Sequence, residues 1–216
     1  MAMPKVLIVE DAVKVDRAIT QAMKQAIVSD GLGLAPDAID VVAADQLALV
    51  GDQLCPLTLD VPESVSFPGQ AVFRACRNVE GLRQMVAEWQ YAIGAGNLWL
   101  PVVLTAKGPL YAEVIGKLES EYLQPIHVAD VWRQDLYQLA HRLVRWLMAP
   151  PAVYLMQFDV HDQTLRFDRL IPFPAAPAIA SLTVQTPNLF VCHWRCLSGQ
   201  AIQDLVVSSS RYQTYP

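Results

Sequence analysis

The chain has 216 residues, of which 53% are hydrophobic and 17% charged, the opposite of the balance that keeps a chain disordered. At roughly 150 residues per domain this makes one large domain, or one domain with an appendage. The formal net charge is −5 and there is no basic run, which excludes a general nucleic-acid or anionic-membrane binder, because neutralising phosphates takes clustered Lys and Arg.

Residues 5–9, Lys-Val-Leu-Ile-Val, form a short continuous apolar run, the mark of a strand buried on both faces in a parallel sheet. Glu10 and Asp11 close it before it is long enough for a signal peptide. No apolar run in the chain reaches the ~18 residues of a membrane span, so a cytoplasmic protein is expected. Val15, Ile19, Ala22, Met23, Ala26 and Ile27 follow at helical spacing, with Gly31 and Gly33 as the stop. Residues 39–44 read as a second strand. Residues 45–78 carry Pro56, Pro62 and Pro68 and read as a long loop or an inserted hairpin over 65–73, with 57–60 as a third strand.

Leu82, Met85, Val86, Trp89 and Ile93 make a helical stripe ended by Gly94 and Gly96. Residues 98–105, Leu-Trp-Leu-Pro-Val-Val-Leu-Thr, are the clearest strand in the chain. Pro109 suits the first turn of a helix carrying Val114, Ile115 and Leu118. A short strand at 124–128 precedes an amphipathic helix built on Trp132, Leu136, Leu139, Ala140, Leu143 and Leu147, which Pro150 and Pro151 stop. Beyond it, 153–160 and 164–171 are rich in β-formers around a turn at His161-Asp162-Gln163, and 189–197 with 202–208 read as another strand pair. This tail is either a small β module or a set of antiparallel strands added to the main sheet.

The alternation of strands and helices over residues 5–148 predicts an α/β fold, a doubly wound, mostly parallel sheet of flavodoxin-like type with a C-terminal β-rich extension. The division expected is a domain over 1–150, with an insertion around 45–95, and an extension over 151–216. Within it, Val6 to Asp11 resembles the first strand of response-regulator receiver domains, and Leu100 to Gly108 resembles their fourth. The resemblance implies that 6–9 and 102–104 are neighbouring parallel strands. It implies a metal-binding role for Glu10 and Asp11, a phosphoryl contact at Thr105 and a phosphoacceptor at Asp60. It also shows departures. Asp60 lies 49 residues after Asp11 and 45 before Thr105, and Ala129-Asp130 stands where the family carries Lys-Pro. A carboxylate nucleophile, Mg²⁺ and a cation must surround one phosphoryl group for that chemistry. The resemblance therefore implies a degenerate receiver, not an enzyme, with no cofactor beyond Mg²⁺, acting in signalling or regulation through protein contacts.

The remaining candidates are weaker in chemistry. Cys192-His193-Trp194-Arg195-Cys196 has a spacing zinc accepts, but no second ligand pair is near, and two small cysteines flanking a buried Trp explain it better. Trp146 lies off the apolar stripe of its helix beside Arg142 and Arg145, which marks an interface for a protein partner or a second copy. The alternatives are an α/β enzyme with its site near Glu10, Asp11 and Thr105, and a non-catalytic assembly factor.

Overall fold

A computed structural model describes residues 5–30, 34, 36–47 and 53–208, and the backbone of 213–214. Three parallel strands open the chain. β1 (Val6–Glu10), β2 (Ile39–Ala43) and β3 (Gln53–Pro56) pair in the order β2-β1-β3. Between β1 and β2 lies α1 (Arg17–Ser29). The Asp16 carboxylate caps it, accepting from the N–H groups of Ala18 and Ile19, and satisfies donors that the first turn leaves without partners. Its buried face is Ile19, Ala22, Met23, Ala26 and Ile27, the stripe the spacing predicts. Gly31 and Gly33, expected to stop the helix, lie outside the described residues.

Two short helices, α2 (Gln70–Arg77) and α3 (Val79–Glu88), lead into a larger sheet. Its strands are β4 (Ala92–Ile93), β5 (Leu98–Thr105), β6 (Gly108–Tyr111), β7 (Val114–Leu118), β8 (Glu121–His127), β9 (Ala152–His161) and β10 (Thr164–Ile171), with α4 (Asp130–Trp146) between β8 and β9. A 3₁₀ segment (Ala176–Leu182), the short pair β11 (Gln185–Thr186) and β12 (Val206–Val207), α5 (Leu189–Leu197) and β13 (Gln213–Thr214) complete the described chain. The strand order is β13-β8-β7-β5-β9-β10-β4, with β6 also on β5. Only β13 on β8 and β4 on β10 are parallel contacts.

The side-chain period of two splits this sheet between two cores. Leu98, Leu100 and Val102 of β5, with Tyr154, Met156 and Phe158 of β9, pack against α2, α3 and α4. Trp99 and Val103, with Val153 and Leu155, face the other way, onto α5, α1 and the parallel sheet. Burying a large apolar side chain such as Phe158 stabilises the fold by roughly 1.5–3 kcal/mol.

The doubly wound, mostly parallel, flavodoxin-like fold is therefore corrected. β1 and β5 belong to different sheets, and β5 runs antiparallel to β6, β7 and β9. A continuous apolar run reports burial on both faces, not the direction of the neighbouring strand. An antiparallel sheet covered on both faces thus reads in sequence like a parallel one. The helix expected after Pro109 is instead the hairpin β7–β8, in which Gly116 passes close to Ile126. The strand expected over 189–197 is α5. It buries Leu189, Phe190, Cys192, His193, Trp194 and Cys196, so nearly its whole circumference is covered and no polar face reveals its period. Its start is capped by Asn188, whose side chain accepts from Phe190 and Val191 N–H. Helix α2 occupies part of the segment expected as loop or hairpin. It begins after Gly69, whose φ of 92° is a left-handed value that favours glycine.

Candidate functional site

Four places could support chemistry, beside the buried ion pair of Asp30 with Arg195. The first is the edge where β1 and β3 end. Glu10 Oε2 accepts from the Thr20 hydroxyl at 3.0 Å. Asp11 Oδ1 accepts from the N–H groups of Lys14 at 2.7 Å and Val13 at 2.8 Å, and these two bonds hold its carboxyl below the usual range. Asp60, exposed in the loop after β3, donates its backbone N–H to the Thr58 hydroxyl. Glu10 and Asp11 thus stand at the end of β1, and Asp60 in the loop that follows β3. Thr105 does not join them. It is the last residue of β5 in the other sheet, where its hydroxyl donates to Gly108 O and accepts from Lys107 N–H. Among the described residues no group of three or more His, Cys, Asp or Glu could hold a metal ion.

The second is a buried carboxylate on β10. A bulge between Phe167 and Arg169 takes Asp168 out of the alternation and turns it inward, where it is 2% exposed. Arg83 of α3 donates to Oδ1 at 2.7 Å and to the Asp168 carbonyl at 3.1 Å, Arg169 reaches Oδ1 at 3.2 Å, and Gly96 N–H donates to Oδ2 at 3.0 Å. The Asp168 hydrogen bond holds the Arg83 guanidinium more basic than usual, against the opposing effect of burial. Gln157 donates to Gly96 O, and Arg166 pairs with Asp159 next to it. The carboxylate of Asp168 is filled by the chain's own donors and clamps α3 and the 94–97 loop to β10.

The third is a patch on α4. Trp146 is 56% exposed and meets Trp89 edge to face at 6.3 Å, while Arg142 lies 4.2 Å over the Trp89 ring. Arg145 and His141 complete an open, basic and aromatic groove.

The fourth is a partly open pocket of about 180 Å³ between the parallel sheet, the start of β9 and α5. Pro56, Phe73, Ala152, Tyr154, His193 and Cys196 are among its walls. The Tyr154 hydroxyl donates to Pro150 O, and the Cys196 thiol to Leu104 O. His193 is 2% exposed; its Nδ1 accepts from Val153 N–H at 3.1 Å, and its Nε2 has no partner. Burial pushes the imidazole down to about 3 and the Cys196 thiol up to about 12, so both are uncharged at neutral pH. On a strand, alternation would point His193 away from Cys192 and Cys196. On a helix, the spacing 189, 192, 193, 196 places it with them.

No protein-family model matches the chain, and no curated protein matches it. Solved structures do share its fold. Glycinamide-RNase-transformylase T from Mycobacterium tuberculosis aligns with a TM-score of 0.65 at 16% identity, covering 92% of this chain and 80% of its own. N5-carboxyaminoimidazole ribonucleotide synthetase from Thermotoga maritima aligns at 0.70 and 9% identity, covering 94% and 78%. N5-carboxyaminoimidazole synthase from Aspergillus clavatus, solved with ADP and 5-aminoimidazole ribonucleotide, aligns at 0.65 and 11% identity, covering 93% and 78%. The likeness is one of fold, with a mixed, partly antiparallel sheet. It overturns the receiver resemblance. The signalling role, the non-enzymatic reading and the phosphoryl-transfer roles of Asp60 and Thr105 rested on that resemblance and lose their basis with it.

Proposed function

We propose that this protein is an ATP-dependent enzyme of the ATP-grasp class that acts on a small-molecule substrate. The observation that carries the reading is the alignment of more than nine-tenths of the chain with synthetases and a transformylase of that class, one of them solved with ADP and a ribonucleotide.

Mg²⁺ would come with such a nucleotide. Glu10, bonded to Thr20 through Oε2, and Asp11, bonded to backbone N–H groups through Oδ1, are the carboxylates that would hold it beside the nucleotide's phosphates. Mg²⁺ commonly keeps several waters and binds through substrate phosphates with one or two carboxylates.

Calorimetric titration with ATP and with ADP, each with and without Mg²⁺, tests the proposal. Saturable binding is expected, together with phosphate release when an acceptor is supplied, 5-aminoimidazole ribonucleotide being the first to try. Absence of nucleotide binding at cellular concentrations overturns it.

A further inference from the structure

We infer that α4 is the contact through which two copies of this chain pair, antiparallel and about a two-fold axis at Gln138. This goes beyond the nucleotide reading and does not depend on it. Val131, Asp135, Gln138, Arg142 and Arg145 recur at spacings of four and three, so they form one stripe along the helix. The stripe lies opposite the buried face of Leu136, Leu139, Ala140, Leu143 and Val144. Gln138, Arg142 and Arg145 are exposed and Asp135 is half-buried. At the C-terminal end of the stripe lies the open groove of Trp89, Arg142, Arg145 and Trp146, whose walls carry no acid. At its N-terminal end Val131 is 64% exposed, and the exposed Asp130 lies 3.9 Å from Arg133.

This face is self-complementary, as a two-fold contact requires. Val131 stands seven residues before Gln138, and Arg145 and Trp146 stand seven and eight after it. Asp135 stands three before and Arg142 four after. A two-fold axis at Gln138 therefore brings Val131 of the second copy against Trp146, its Asp135 against Arg142, and its Asp130 toward Arg145 in the groove. Within one chain Asp135 and Arg142 are two turns apart, about 10.5 Å along the axis. Among the described residues neither of them, nor Arg145, forms a salt bridge. Arg142 lays its face on Trp89 and keeps its N–H edge for a carboxylate. Parallel pairing would set Arg142 against Arg142 and Asp135 against Asp135, and like charges in contact exclude it. An acidic partner of another kind would fill the groove but leave Val131 and Asp135 unmatched.

Sedimentation velocity on the full chain, from micromolar to submillimolar concentration, tests this. One helix from each copy makes a contact at the low end of interface sizes, so a reversible monomer–dimer equilibrium is expected within that range. Asp135→Arg and Arg142→Asp each set like charges face to face, and each is expected to weaken the dimer about tenfold or more. Their equimolar mixture is expected to regain it, because each chain then offers the charge the other lacks at both symmetry-related contacts. Should Arg142→Asp not fold, Asp130→Arg and Arg145→Asp, nearer the helix ends, carry the same exchange. A monomer at every concentration overturns the inference. So does a dimer that the single substitutions leave intact, or one that the mixture does not restore. No nucleotide is present, so the outcome is independent of the nucleotide result.

Discussion

Removing the Asp168 carboxylate probes a buried polar group that three donors hold in place. Asp168→Ala leaves Gly96 N–H without its acceptor and takes the anion from between Arg83 and Arg169. Breaking a buried ion pair by deleting one partner costs about 3–5 kcal/mol. The lower end applies here, because the Arg83 side chain is 20% exposed and keeps Glu80 at 2.9 Å, and Arg169 is 44% exposed and rehydrates. The expected loss is about 3 kcal/mol, of which roughly 1–2 comes from the stranded Gly96 donor. In a chain of this length that lowers the melting temperature by about 6–12 °C. Asp168→Asn keeps the shape but turns an NH₂ toward a donor, so about 2 kcal/mol is expected. Urea and thermal unfolding of Asp168→Ala, Arg83→Met and the double variant give the coupling energy, expected at about 1.5–3 kcal/mol. A loss under about 1 kcal/mol, or a coupling within about 0.5 kcal/mol of zero, refutes the clamp.

Other outcomes follow from the same geometry. In Gly96→Ala a Cβ would stand 2.2 Å from the Phe158 carbonyl oxygen, a backbone atom that cannot swing aside; destabilisation of about 2 kcal/mol or more is expected by urea titration, and a neutral variant would contradict the packing. His193 ionises near 3 in the fold and at about 6.5 when unfolded, so between these values the unfolded chain holds the extra proton and acid favours unfolding. The native protein should therefore lose about 1.4 kcal/mol per pH unit relative to His193→Phe as pH falls from 6 to 4, and parallel stability curves would show that the ring is not buried uncharged. The four cysteines are buried and free, and burial pushes each thiol up to about 12; iodoacetamide at pH 8 should leave the folded chain unlabelled and modify all four after denaturation, as read by intact mass. Arg142→Ala should cost only about 0.5–1 kcal/mol, the value of an exposed cation–π contact with Trp89, and a larger thermal shift would mean that the α4 patch is structural.

Periodicity carried information wherever an element has one wet face. α1 and α4 appear where their stripes place them, β1 and β2 match their apolar runs, and the β9–β10 hairpin turns at Asp162 and Gln163 as its turn residues suggest. These are local consequences of residue type: spacing sets the face, and turn residues set the ends. What local chemistry does not encode is the identity and direction of a neighbour. Leu98 to Thr105 would read the same beside β1 in a parallel sheet as it does beside β9 in an antiparallel one, and this ambiguity underlies the mistaken receiver resemblance. Burial on all sides erased the helical period of α5, and with it the signal for His193. The Asp168 clamp joins α3, the 94–97 loop and β10 across 85 residues of sequence, and the cavity joins β3, α2, β9 and α5. Both exist only because packing brings those segments together, since a hydrogen-bond partner or a cavity wall is set by distance in space, which residue type alone does not specify.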